Sequence, residues 1–415
     1  MIKKITIKNF KAITDLTIEF TPLTVLIGEN SSGKSTVLQA LGFLCSITTR
    51  DIDEYLKDRD WEFSDIKSQF ASVTDSIRFI VDINISGMQL TWDISMNNIN
   101  DIWQISESIH NTVTNEYYLS YGRDLPDHPI DFSHLNVKSS ALKMLHIESD
   151  NPLMLHSNPL SFIVLNNLKS FLASSSSFEL LSPDRMRSKG SRGKPDDIGS
   201  GGEKLAAYIH GMNSTKKTEL NKLVSEFIGY NVSISTTTKG VPGWVEMILV
   251  ETWGEKIVKV KKRYISDGLL RIIALAAIII NSDNRKTGQL IPLAEGTAQK
   301  GFILLDELED GISTTHVELL LERIKAIASE MKRQIVITSH SPVMLNYIDA
   351  SDILFMWRDS EGTIRAKPMF QTAAMRKTLE VLGPGEVWMN YSKDRILLKL
   401  LHPQEGTHDQ NTPVQ

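Results

Sequence analysis

The chain has 415 residues, 41% hydrophobic and 23% charged, enough for one large core or two modest ones. Its 45 basic and 50 acidic side chains leave a formal charge of -5, which excludes a strong polycation and confines any nucleic-acid binding to a local patch. The single cysteine, Cys45, excludes an internal disulfide and a cysteine-based zinc site; it suits a reducing compartment and reads as a small buried hydrophobe.

The opening MIKKITIKNFKAI alternates like a strand and has no long apolar run ending in a cleavage site. Strands are predicted over residues 2–8 and 16–20, and LTVLI at 23–27 has the doubly apolar character of a buried central strand. A glycine-rich loop and the helical pattern STVLQALGFL follow, making a strand, loop, helix unit. Residues 51–72 read as linking structure, and 77–85 and 88–94 as an antiparallel pair. Residues 96–135 are rich in Asn, Asp, His and Ser and predict a loop-bearing excursion, with some strand near Glu116–Tyr121. A helix is expected within 155–173 and a glycine-rich basic loop over 186–202. Two helices split near 211–214 come next, then strands at 231–236, 244–250 and 256–264.

The most apolar stretch, Leu269–Ile280, spans 12 residues, too few to cross a bilayer, and predicts a buried helix. A polar loop over 281–300 leads to the buried strand GFILLDE, the amphipathic helix 317–331 and the buried strand QIVITSH. Strands alternating with helices argue for an α/β core with a largely parallel sheet. No repeat and no long heptad stretch is present, and a cytoplasmic location is expected.

Four segments carry chemistry. Gly28, Gly33, Lys34 and Ser35 follow the Gly-x-x-x-x-Gly-Lys-Ser pattern between a strand and a helix. Glycines let backbone N–H groups curl around phosphate oxygens, and the helix N-terminus adds further donors. Asn30, Ser31, Ser32, Gly33, Lys34, Ser35 and Thr36 are therefore the expected nucleotide-binding residues, with the Ser35 hydroxyl on Mg²⁺. Asp306 ends a buried strand, where it is placed to hold Mg²⁺, and Glu307 is placed to polarise the attacking water. His340 ends the next strand and is expected to sense the γ-phosphate or orient water.

Ser266-Asp267-Gly268 precedes the apolar helix. It is either a plain helix cap or a phosphate grip acting across a subunit interface. Ser200-Gly201-Gly202 looks nearer to a familiar serine-glycine-glycine pattern, but it lies more than a hundred residues before Asp306; Ser266 is preferred. Gln69 is a weaker candidate for a residue reaching Mg²⁺ from a neighbouring lobe, against an ordinary surface glutamine.

Taken together, GENSSGKST (28–36), YISDGLLRIIALAAIII (264–280), ILLDELEDG (303–311) and VITSHSPVML (336–345) resemble ATP-binding-cassette type ATPases of the SMC/RecF/OLD-like group, in particular compact bacterial AAA-family proteins without a long coiled coil. By this resemblance the segments are the Walker A loop, the signature motif, the Walker B strand with its catalytic glutamate, and the switch histidine. GSGGEKLAAYIHGM (199–212) is similar to another internal segment of the group, which agrees with the choice of Ser266. The resemblance covers roughly residues 1–45 and 178–392. Many relatives have proline after the catalytic glutamate; Leu308 stands here, which leaves the metal and water roles intact but alters the loop near Asp310 that approaches the partner.

The resemblance implies an ABC-type head with a mixed or parallel central sheet, an antiparallel β lobe and an inserted helical region. The expected division is 1–95 and 178–400 for the two parts of the head, 96–177 for the insertion and 401–415 for a disordered tail. It further implies ATP hydrolysis with ATP and Mg²⁺ as cofactors. Heads pair as a homodimer or higher homo-oligomer, with Ser266 and Gly268 acting in trans. Two functions follow. In the first, head pairing controls a separate effector, such as a nuclease or toxin, in anti-phage defence; the 75 residues after His340 leave too little room for an OLD-type nuclease domain. The alternative is a RecF-like DNA-binding ATPase in repair or chromosome maintenance, with Arg185, Arg187, Lys189, Arg192 and Lys194 as candidate DNA contacts. A transporter subunit is the least supported, since nothing suggests a membrane partner.

Overall fold

The structure is a computed structural model that describes residues 1–122, 138–144, 159–178, 182–188, 195, 198–199, 201–240, 244–281, 301–309, 312–330 and 333–401. In chain order it forms β1 (Ile2–Phe10), β2 (Ile13–Glu19), β3 (Leu23–Ile27), α1 (Lys34–Ser46), α2 (Ile52–Lys57), α3 (Phe63–Ile66), β4 (Ile77–Ile85), β5 (Met88–Ile99), β6 (Ile102–Asn111) and β7 (Tyr117–Tyr121). Next come α4 (Pro159–Ala173), β8 (Ser176–Phe178), α5 (Pro183–Arg187), α6 (Leu205–Gly211), α7 (Ser214–Ile228), β9 (Val232–Lys239), β10 (Trp244–Trp253), β11 (Lys256–Lys261) and α8 (Asp267–Asn281). The remainder is β12 (Ile303–Leu305), α9 (Val317–Glu330), β13 (Ile335–Thr338), α10 (Pro342–Leu345), β14 (Ile353–Arg358), β15 (Ile364–Pro368), α11 (Ala373–Thr378), α12 (Pro384–Asn390) and α13 (Lys393–Leu401).

Three sheets result. The central one runs β15-β14-β3-β13-β12-β8, parallel throughout except for the antiparallel edge strand β15. Its inner strands β14, β3, β13 and β12 are apolar on both faces because each face meets a separate core. Val25 and Ile27, Ile303 and Leu305, Ile335 and Ile337, and Phe355 and Trp357 face a core shared with α6, α7, α8, α9 and the small sheet β11-β10-β9. Leu26, Leu304, Val336 and Met356 alternate to the other face, packing with α1, α4 and the antiparallel sheet β2-β1-β4-β5-β6-β7. Each such fully buried side chain contributes roughly 1.5–3 kcal/mol.

Gln334 ties the two large sheets together. Its Oε1 accepts from Ile2 N at 3.0 Å and its Nε2 donates to Ile2 O at 2.8 Å. Arg333, only 2% exposed, donates to Gly301 O at 3.1 Å and Ser174 O at 2.9 Å, pinning the end of α4 to the approach of β12.

β7 at Tyr117–Tyr121 matches the strand expected near Glu116–Tyr121, but residues 96–111 differ from their reading as a loop-bearing excursion. β5 runs on to Ile99 and pairs with β6 through Asn98↔Trp103 and Ser95↔Ser106, and β6 pairs with β7. Ser95 and Ser106 hydroxyls lie 2.8 Å apart across the strands. The polar face of β5 and β6 carries Ser95, Asn97, Gln104 and Ser106, whose composition imitates a loop, so the antiparallel lobe is larger, and among the described residues the helical part is α4 with a short 3-10 turn at Ala141–Met144. Leu401 ends α13; the rest of the stretch expected as a tail lies outside the described residues, as do Ser200 and Asp310.

Candidate functional site

The Gly28–Ser32 loop closes against β14 and the β14–β15 hairpin. A Cβ on Gly28 would sit 2.2 Å from Met356 O, so only glycine lets the loop backbone pass. Gly33 adopts φ +93 in the left-handed region and caps the N-terminus of α1. Ser31 has φ +64, and its carbonyl accepts from Arg358 Nε at 2.8 Å. Asn30 and Ser31 are exposed, Ser35 and Thr36 half-buried. Ser32 is buried, and its Oγ has no hydrogen-bond partner among the described residues. Buried hydroxyls are normally satisfied, so an acceptor such as a phosphate oxygen fits this position.

Lys34 is buried, its Nζ donating to Gly28 O at 2.9 Å and Glu29 O at 3.0 Å. Burial holds its pKa below the ordinary lysine value, opposed by the nearby charges of Asp306, Glu307 and Glu309. Ser35 Oγ donates to Asp306 Oδ1 at 3.2 Å, bringing the two expected metal ligands together from positions 271 residues apart. Thr338 Oγ1 donates to the same oxygen at 2.5 Å and accepts from Glu307 N at 2.9 Å. A hydroxyl and a carboxylate as hard oxygen donors suit Mg²⁺ bound also by phosphate and water. Among the described residues no cluster of three or more His, Cys, Asp or Glu side chains forms an all-protein cation cage.

Parallel pairing of Leu305 with Ile337 aligns the ends of β12 and β13, so Asp306 meets Thr338, and His340 follows two residues later. Glu307 adopts φ +45 and is exposed, while Leu308 is buried in the core beneath. That turn sends Glu309 back under the switch segment, where its Oε1 accepts from Ser339 Oγ at 2.9 Å, His340 N at 2.6 Å and Ser341 N at 3.0 Å. Three residues here escaped sequence reasoning: Glu309, Thr338 and Arg358. Glu309 alone left a signal, as the second glutamate of DELE.

Gln69 lies exposed in the turn closed by Ala71 N→Ser68 O at 3.1 Å. Its neighbour Phe70 reaches to within 3.9 Å of a Cβ built on Gly362, in the hairpin that carries Arg358. Among the described residues no hydrogen bond joins Gln69 to Ser35 or Asp306.

Ser266 precedes α8 and Gly268 lies in its first turn, on a helix packed in the same core as β3, β12 and β13. Ser266 is exposed, and its Oγ accepts from Leu269 N at 3.4 Å. Arg187 of α5 clamps this start, donating to Ile265 O at 2.8 Å and pairing with Asp267. Arg187, one of the candidate DNA contacts, is thereby committed to the signature segment, while Arg185 is exposed. Lys189, Arg192 and Lys194 lie outside the described residues. No described helix is long and apolar enough to cross a membrane.

A family model described as an AAA ATPase domain matches residues 1–345. A crystal structure of an SMC head bound to the C-winged helix domain of ScpA aligns with TM-score 0.53 and 14% identity, over 88% of this chain and 96% of that one. The SMC head domain from Thermotoga maritima aligns at 13% identity and TM-score 0.44, over 88% of this chain and 98% of its own. A Pyrococcus furiosus Smc head domain with an extended coiled coil, bound to the C-terminal domain of ScpA, gives the same 13% and 0.44 over 88% and 95%. No curated protein matches the chain.

Proposed function

The chain belongs to the AAA ATPase domain family and has an SMC-head-like ABC ATPase fold; from that footing we propose that it is an ATP-hydrolysing switch whose heads pair around nucleotide and act on a separate partner protein. The observation that carries this is the convergence of Ser35 and Asp306 at 3.2 Å beside buried Lys34. In this reading the loop from Asn30 to Thr36 binds the phosphates of ATP, Ser35 and Asp306 hold Mg²⁺, and the bound ion neutralises phosphate charge. Lys34 supplies its positive charge to the β and γ phosphates. Glu307 orients the attacking water and His340 faces the γ-phosphate end of the site.

Ser266 is exposed at the start of α8, which supports its use in trans, with Gly268, by a second head. A chromosome-maintenance role is favoured over a dedicated anti-phage effector role. The solved head at TM-score 0.53 is one bound to a ScpA winged-helix domain, and a partner of comparable kind is the reading it supports. DNA is a further candidate ligand.

Lys34→Ala is expected to lower steady-state ATP hydrolysis by on the order of 10²-fold or more. Glu307→Gln should keep ATP affinity and, with ATP and Mg²⁺, convert micromolar monomer to dimer in light scattering. Hydrolysis indifferent to Lys34→Ala would overturn the ATPase reading; a Glu307→Gln protein that stays monomeric would overturn the pairing.

A further inference from the structure

Three donors from three consecutive residues of the switch segment meet on a single carboxylate oxygen. Glu309 Oε1 takes Ser339 Oγ at 2.9 Å, His340 N at 2.6 Å and Ser341 N at 3.0 Å. Hydrogen bonds to an ionised acceptor are roughly twice as strong as neutral ones, and here they act at the point where β13 leaves the sheet. Ser341 also caps α10, its Oγ accepting from Met344 N at 3.3 Å, and Pro342 has no N–H to offer. The turn that presents His340 is therefore held from the Walker B side by Glu309 and from the α10 side by Ser341. β13 ends at Thr338 and the sheet's last hold on the segment is Ser339 N donating to Leu26 O at 3.1 Å, so His340 and Ser341 lie just beyond the ladder.

The route by which Glu309 arrives is specific. Asp306 faces Ser35, Glu307 turns outward at φ +45, Leu308 enters the core and Glu309 returns beneath the histidine turn. The two glutamates of the DELE segment thus have separate placements, one exposed and one engaged with backbone.

We propose that Glu309 is the positioning residue for the switch histidine: its carboxylate fixes the backbone of Ser339–Ser341 and thereby sets where the His340 side chain stands relative to Asp306 and the nucleotide phosphates. It acts through His340. This rests on the ATPase reading above, and its test separates the two.

Hydrogen-exchange mass spectrometry on the unliganded chain reads the contact without hydrolysis. The His340 and Ser341 amides are expected to be protected in wild type and in Glu309→Gln, whose amide oxygen accepts the same donors, and to exchange faster in Glu309→Ala. In ATPase assays Glu309→Ala should lower kcat by about 10- to 100-fold with KM for ATP within about 2-fold, because geometry rather than binding is disturbed. Glu309→Gln should stay within about 3-fold of wild type, the rescue expected of positioning and not of proton transfer. Adding Glu309→Ala to His340→Ala should cost nothing further, since both remove the same device. Glu309→Gln as inactive as Glu309→Ala, losses that multiply in the double variant, or amides equally protected in Glu309→Ala would each overturn the proposal. Wild-type hydrolysis indifferent to Lys34→Ala would instead remove the ATPase reading, while the exchange result would still decide whether Glu309 holds the turn.

Discussion

Lys34, the proposed phosphate-binding lysine, carries a cost to the fold. Its ammonium is buried against the loop carbonyls of Gly28 and Glu29, and burial lowers its pKa in spite of three nearby carboxylates. The folded pKa lies below the unfolded one, so unfolding takes up a proton in the window between them, and stability rises with pH across that window up to the ordinary lysine value. The melting temperature of wild type relative to Lys34→Met is therefore expected to climb as pH approaches the ordinary lysine value from below; a constant difference would show that the lysine titrates as if in water. At this scale the sequence was most informative where a residue type has one use. Lys34, Ser35 and Asp306 stood out as candidates because phosphate and magnesium demand such groups after a strand, and the structure brings Ser35 and Asp306 within 3.2 Å. Arg358 and Thr338 were not, since an arginine gripping the Ser31 carbonyl and a threonine bridging Asp306 to Glu307 N look like any other until the hairpin and the sheet place them.

Among the elements, α8 shows how a short signature gains a fixed shape. Its first turn holds Gly268 just after Ser266, and Arg187 on α5 clasps both Ile265 O and Asp267. Arg187→Ala is expected to cost roughly 1–2 kcal/mol in urea unfolding, for hydrogen bonds to a charged group at a partly exposed site. It should also weaken ATP-dependent pairing of Glu307→Gln heads more than it weakens ATP binding; equal losses in both would separate Arg187 from the signature. Periodicity located α8, β3, β12 and β13 well, because elements buried on both faces or along a stripe write their environment into an apolar run. It failed for β6, whose outward Gln104, Ser106 and Ser108 hide a strand that is recognised only through its pairing with β5.

For the whole molecule, the consequential prediction concerns two copies. If Ser266 completes the partner's site, Lys34→Ala and Ser266→Arg subunits are each inactive alone but complement when mixed. Half of the dimers then carry both kinds of subunit with one intact site of two, so about a quarter of wild-type hydrolysis is expected; no recovery would place the signature in cis. The amino-acid sequence by itself determined the α/β core and its buried strands, and marked the glycine-rich loop and the acidic strand end as candidates for phosphate and metal, because burial on both faces of a strand and the needs of phosphate chemistry constrain residue type locally. Only the tertiary structure decided that Ser35 and Asp306, 271 residues apart, share a hydrogen bond, that 96–111 belongs to an antiparallel sheet, that Arg187 clasps the start of α8, and that Glu309 accepts from the turn at His340. These depend on which strand ends lie side by side, and strand order follows from packing the two faces of the central sheet rather than from any local pattern.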